Sequence, residues 1–282
     1  MMDILDHEGS LFNKPNVISV PITMYNIYPR VYGTDEIYDR FEIFCKNLEI
    51  IDELNSKNNS VIYGITKFAD WKDDELKTNN VSYIKFDKMD TRFMYSNWIH
   101  LKWDGKTKIP ISWDWRDLRA VTHVKSQMAA VVESLYYLKY GRYISISESE
   151  MVDCDHMNEG CVGGNTKHAL WRGSYKGFIQ HHDYFPSPLG HRYYCPKYST
   201  IFLDKLYFIH PDENSIAWFI SYIGPVSLNL AMLQINKLYK GGIIMDSKEC
   251  REIIPNHSAE AIGFGEENGT KYWILKNSWG HE

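Results

Sequence analysis

A long central stretch of this chain of 282 residues lacks cysteine. The chain has five cysteines, and none lies between Cys45 and Cys154. So sparse and odd-numbered a set excludes a domain held together by dense disulfides. No stretch approaches the roughly 20 apolar residues that a membrane-crossing helix needs. No basic stripe stands out against a net charge of -5, so neither a membrane nor nucleic acid is expected as a partner. Internal repeats and low-complexity tracts are missing too. The opening Met1-Met2-Asp3-Ile4-Leu5-Asp6-His7-Glu8 is acidic and broken, without the basic start and the apolar stretch of about 7–15 residues that mark a secretory signal. What is present is 44% hydrophobic and 15% aromatic. That is enough to bury a sizeable core, and the length permits one large domain plus a small one.

The first pattern is helical. Glu36, Arg40, Phe44, Asn47, Ile51 and Asn55 follow steps of four, four, three, four and four, which puts all six on one helix face. Any amphipathic helix would explain the spacing but not the residue types. A second segment, Gly64-Ile65-Thr66-Lys67-Phe68-Ala69-Asp70, follows shortly after. Four further clusters lie downstream: Asp114-Trp115-Arg116 with Ala120-Val121-Thr122, Val124-Lys125 and Gln127; Gly141 to Glu148 with Val152-Asp153-Cys154; Gly160-Cys161-Val162-Gly163-Gly164; and Asn256-His257 followed by Tyr272 to Gly280.

Together these segments resemble the papain-like cysteine peptidase family. The helix face matches the E-R-F-N-I-N pattern of cathepsin L-like propeptides, and Gly64, Phe68 and Asp70 match the companion G-x-T-x-F-x-D. The resemblance implies a papain-like α+β fold with a helical left lobe and a barrel-like, truncated right lobe, preceded by a small helical prodomain. Residues 20–80 would be the inhibitory prodomain, 81–108 a linker through the groove, and 109–282 an incomplete peptidase domain. Helices are expected over Met128–Tyr140 and Thr166–Lys176, and strands over Val226–Leu230, Ala259–Phe264 and Tyr272–Lys276.

The chemistry of the family needs a thiolate activated by a neighbouring imidazolium and a helix N-terminus. By resemblance His257 is the base, and Asn277 holds the other ring nitrogen and fixes its orientation. Trp279 would shield that bond, and Gln127 would donate to the oxyanion. Gly163 and Gly164 would approach an extended substrate as in strand addition, although a tight turn explains the same pair. The nucleophile itself is missing. The family's interval from the glutamine to Gly141 is about ten residues longer, so a block carrying the oxyanion loop and first helical turn is absent. An ungapped alternative puts Glu133 in the thiol's place. Either way no sulfur stands there.

The resemblance further implies a Cys154–Cys195 disulfide, leaves Cys161 without the partner in the missing block, and leaves Cys250 and Cys45 unpaired. The chain is expected to stop short of the family's last strands, exposing a sheet edge. Sequons stand at Asn58, Asn80, Asn256 and Asn268. Three functions stay open: a peptidase whose coding sequence includes a block missing from this chain, a pseudopeptidase that binds or regulates, and a propeptide-type inhibitor. Peptide or protein substrates, or a related cysteine peptidase, are the expected partners of a monomer. No cofactor and no metal is implied. The family points to a lysosomal or extracellular setting, while the start of the chain carries no signal for one.

Overall fold

The structure, a computed structural model, describes residues 32–57, 60–72, 75, 98–184, 195–245 and 248–280. In chain order the elements are α1 (Thr34–Ser56), β1 (Val61–Tyr63), β2 (Ile99–Leu101), β3 (Trp113–Asp114), α2 (Gln127–Tyr140), α3 (Glu148–Cys154), α4 (Thr166–Tyr175), β4 (Tyr207–Ile209), α5 (Glu213–Tyr222), β5 (Val226–Leu230), β6 (Tyr239–Gly242), α6 (Lys248–Glu252), β7 (His257–Glu267) and β8 (Thr270–Lys276). They fall into two compact units. One takes the described residues of Met1–Glu75 with Gln234–Met245, the other those of Leu76–Leu233 with Asp246–His281. The opening segment, Asn58, Asn80, most of the expected linker and the Cys250 side chain lie outside what is described.

In the first unit the six-residue face of α1 makes specific contacts at each position. Phe44 and Ile51 are buried with Ala69 and Leu238. The Asn47 amide donates to Ala69 O at 2.7 Å. Asn55 both accepts from Tyr63 N at 3.0 Å and donates to Tyr63 O at 2.9 Å, tying the helix to β1. Arg40 sits between Glu36 and Glu75 and also reaches Asp70 O at 3.2 Å. Phe68 packs edge-on against Trp71, their rings 5.0 Å apart. The unit is completed by residues far along the chain. β1 pairs antiparallel with β6, Gly64 N donates to Leu238 O at 2.8 Å, and Thr66 Oγ1 donates to Lys237 O at 2.5 Å.

The second unit packs helices against a sheet. β7 is its spine, with β8 along one side and β5 and β3 along the other, all antiparallel. The sheet is open rather than a closed barrel among the described residues. A tight turn at Asn268 and Gly269, both at positive φ, joins β7 to β8 with the twist that a two-residue hairpin favours. Asn256 spends its side-chain amide on Met232, accepting at 2.8 Å and donating at 3.1 Å, so of the described sequons Asn268 is the exposed one.

Helix α2 lies between two apolar clusters. Met128, Ala129 and Val132 enter one with Ile146, Phe178 and Ile201, while Tyr137 and Leu138 pack against the other, built on Trp115, Phe219, Ile220, Val226 and Ala261. Gly141 ends the helix in the left-handed region at φ 68, its N–H bonded to Tyr137 O, a conformation that glycine adopts without a Cβ penalty. Cys154 and Cys195 are joined by a disulfide, and a fully buried pair, Arg172 with Glu150, links α4 to α3.

Truncating Phe44, 1% exposed, to alanine should cost about 3–5 kcal/mol, the usual range for an aromatic removed from a core. Tyr38→Ala on the opposite, 69% exposed face should stay within about 0.5 kcal/mol. Chemical denaturation followed by tryptophan fluorescence compares the two, and equal midpoints would contradict this assignment of the α1 face.

Candidate active site

β7 begins at His257, and β8 ends one residue before Asn277. The antiparallel pairing of these strands, with Glu260 opposite Lys276, brings the two ends together. His257 Nε2 and Asn277 Oδ1 are 2.9 Å apart. As Asn277 offers an oxygen there, the bond requires the proton on Nε2, which leaves Nδ1 with a lone pair. Asn277 is fixed in turn by the Ser278 N–H at 2.7 Å. The Trp279 ring lies 5.2 Å from the imidazole, tilted by 49°, and so covers the pair.

His257 is 2% exposed, and its Nδ1 makes no hydrogen bond among the described residues. Burial pushes the imidazole pKa below its ordinary 6.5, and the Asn277 bond only partly restores it. The ring is therefore mainly neutral at neutral pH.

Gln127 is the first residue of α2. Its amide nitrogen donates to Ser227 Oγ, and its oxygen accepts from Thr166 Oγ1 at 3.4 Å. The side chain expected to serve an oxyanion is thus engaged by the sheet and by α4. Just before it, Ser126 N donates to the Glu148 carboxylate, which supplies an internal anion at the helix N-terminus where partial positive charge collects. Glu133, which the ungapped alternative puts in the thiol's place, has a buried carboxylate that accepts from Lys125 Nζ at 2.9 Å and Ile146 N at 2.7 Å, tying α2 to the segments on either side of it.

Gly163 and Gly164 share a cavity of about 330 Å³ with Gln127, Cys161, Thr166 and Ser278. Gly163 has φ +126, which favours glycine. Gly164 is constrained by space instead, because an added Cβ would collide with the Asn158 side chain. Cys161 is free and exposed, and Cys45 is free and half-buried. The structure thus brings Gln127, the glycine pair and the stretch around Asn277 together, although they are far apart in sequence. Reading the sequence found neither the Lys125 bond of Glu133 nor the buried Glu260, which sits opposite Lys276. Their one signal was a carboxylate inside an otherwise apolar run.

Comparison with known proteins gives the class. A model of the papain family cysteine proteases matches residues 109–282, and one of the cathepsin propeptide inhibitor domain matches residues 26–76. The chain belongs to the papain family of cysteine proteases. It is similar to a viral cathepsin of Spodoptera exigua nuclear polyhedrosis virus, 30% identical over 302 residues, covering 98% of this chain and 86% of that protein. Two solved structures from the larval midgut of Tenebrio molitor share its fold. Digestive procathepsin L2 is 27% identical with a TM-score of 0.81, covering 94% of this chain and 90% of that one. Procathepsin L 3 is 26% identical with a TM-score of 0.79, covering 95% and 90%. The fold is that of a papain-like proenzyme.

The depressed pKa of His257 sets a pH dependence. Below 6.5 the unfolded chain takes up a proton that the folded state resists, so the stability that neutral His257 contributes is present above 6.5 and is lost as pH falls below it. Thermal unfolding of the parent chain should therefore lose more between pH 7 and pH 5 than that of a His257→Gln variant. Parallel curves would show that burial does not depress this imidazole.

Proposed function

We propose that this chain is a cathepsin L-like proenzyme in layout which, lacking a nucleophile, binds peptide without cleaving it. The observation that carries the reading is the buried Nδ1 of His257, oriented by Asn277 yet facing no thiol. Covalent catalysis needs a nucleophile beside its base. The described free thiols, Cys45 and Cys161, make no hydrogen bond to that nitrogen. The second oxyanion donor of the family, the nucleophile's own N–H, goes with the missing block. Extended peptide segments of protein substrates are the ligands the cavity suits, held by backbone hydrogen bonds along Gly163 and Gly164. The bonded Cys154–Cys195 pair fits an oxidising compartment, lysosomal or extracellular. No helix among the described residues is long and apolar enough to cross a membrane.

The intact His257–Asn277 geometry favours a second reading, an active peptidase whose coding sequence carries the missing block. One pair of proteins separates the two. The parent chain, acidified or treated with a processing protease, should neither hydrolyse dipeptidyl substrates nor be labelled by a thiol-directed epoxide. Inserting Gly-Gln-Cys-Gly-Ser-Cys-Trp-Ala-Phe-Ser between Gln127 and Met128 should restore labelling, and turnover should rise by about 10⁴-fold or more, the scale of losing a nucleophile. Turnover by the parent chain would overturn the proposal. A folded, thiol-accessible insertion variant that never acylates would remove His257 or Asn277 from the assigned roles.

A regulatory role in trans is supported by the first unit, whose core is finished by Leu238 and whose strand β1 pairs with β6. The same surfaces can receive the equivalent segment of a related cysteine peptidase. Arg40 holds the Glu75 carboxyl below its ordinary 4.5, so the stability it contributes is present above 4.5 and is lost as pH falls through the lower value. A fragment of about residues 20–108 should inhibit a cathepsin L-like peptidase more strongly at neutral than at acid pH. An Arg40→Ala, Phe44→Ala variant should inhibit less, and equal inhibition by both would count against this role.

A further inference from the structure

Glu260 is 0% exposed in the middle of β7, on a strand whose neighbours Ala259, Ala261 and Ile262 are also buried. Burial of a carboxylate is costly unless it is paired and hydrogen-bonded, so its surroundings decide its charge. From α2, Ser134 Oγ donates to Oε1 at 2.9 Å. From β8, directly opposite in register, Lys276 Nζ lies 3.3 Å from Oε2, an atom that accepts no well-aligned hydrogen bond. Also from α2 comes the charge of Glu133, itself held by Lys125. β5 places Ser227 opposite Glu260.

Lys276 has two partners at the same reach. Its ammonium also donates to Thr122 Oγ1 at 3.3 Å, and its side chain is 7% exposed. The next residue is Asn277, whose oxygen orients His257. We propose that Glu260, Ser134 and Lys276 form a proton-operated coupling between α2 and the strand ends that carry His257 and Asn277. With Glu260 ionised, Lys276 is drawn to it. With Glu260 protonated, the attraction is lost, the carboxyl O–H turns to Ser134, and Lys276 moves to Thr122, shifting the backbone that leads into Asn277. No bond is made or broken beyond transfer of one solvent proton to a carboxylate oxygen.

The direction of the pH response follows from the surroundings. Burial first, with repulsion from Glu133, raises the Glu260 pKa above its ordinary 4.5, while Lys276 and Ser134 pull it back. The folded state takes up this proton at a pH where the unfolded chain does not, so it gains stability as pH falls from neutral through the raised value. This is opposite in sign to Glu75 and to His257.

The inference rests on the proposed role of the His257–Asn277 pair as the site being regulated. It is read by resonance frequencies rather than turnover, so its failure leaves the reading of peptide binding intact. The full chain, labelled with ¹³C and ¹⁵N, is titrated from about pH 7.5 to 4 while three signals are followed: the Glu260 carboxyl carbon, Lys276 Cε and the Asn277 side-chain amide. The Glu260 carbon should titrate above 4.5, with Lys276 and Asn277 shifting at the same midpoint. Glu260→Gln keeps the shape and the Ser134 bond, and should abolish that component at both residues. A Glu260 midpoint at or below 4.5, or Lys276 and Asn277 signals that do not move there, would overturn the coupling. Should the variant fail to fold, the three midpoints in the parent chain decide the matter alone.

Discussion

Helix α2 is buried on every side over its first eight residues, Gln127 to Ser134. An amphipathic helix can turn its polar groups to water, but this one cannot. Each polar side chain in that stretch must therefore find a partner inside the protein. Gln127 takes Ser227 and Thr166, Glu133 takes Lys125 and the Ile146 N–H, and Ser134 takes Glu260. These bonds fix the helix between the apolar cluster beneath it and the sheet beside it. They also commit Gln127 and the helix N-terminus to internal partners.

The site that results is centred on the His257–Asn277 pair. Geometry places a neutral imidazole with its Nε2 bonded and its Nδ1 unbonded among the described residues, covered by Trp279 and backed by an ordered asparagine. In an active member the thiolate would share charge with this ring and hold its proton. Without it, burial dominates and depresses the pKa. Beside this pair, Gln127 is bonded to Ser227 and Thr166, and Cys161 is free and exposed.

Much of the candidate site was legible because its motifs are local. Asn277-Ser278-Trp279 and Gly163-Gly164 stand in short runs, and β5, β7 and β8 sit where apolar, β-rich segments were expected. The α1 face was also legible, since a 3.6-residue period gathers Arg40, Phe44 and Asn47 on one side whatever they later touch. Glu260 was not, because a single carboxylate in an apolar strand gives no hint of a lysine opposite it or of a serine 126 positions earlier.

The sequence by itself determined α1, α2, α4, β5, β7 and β8, the order of the motifs and the lack of a thiol at the head of α2, and the family resemblance added the candidate disulfide. These depend on residue type and on spacing along a few turns or strands. Tertiary structure alone decided that Leu238 completes the core around Phe44, that the Thr66 hydroxyl bonds a carbonyl 171 positions away, and that Glu260 and Lys276 meet in the interior. Such pairings come from burial and strand register, and burial is what turns an ordinary carboxylate or imidazole into a group whose charge depends on its neighbours.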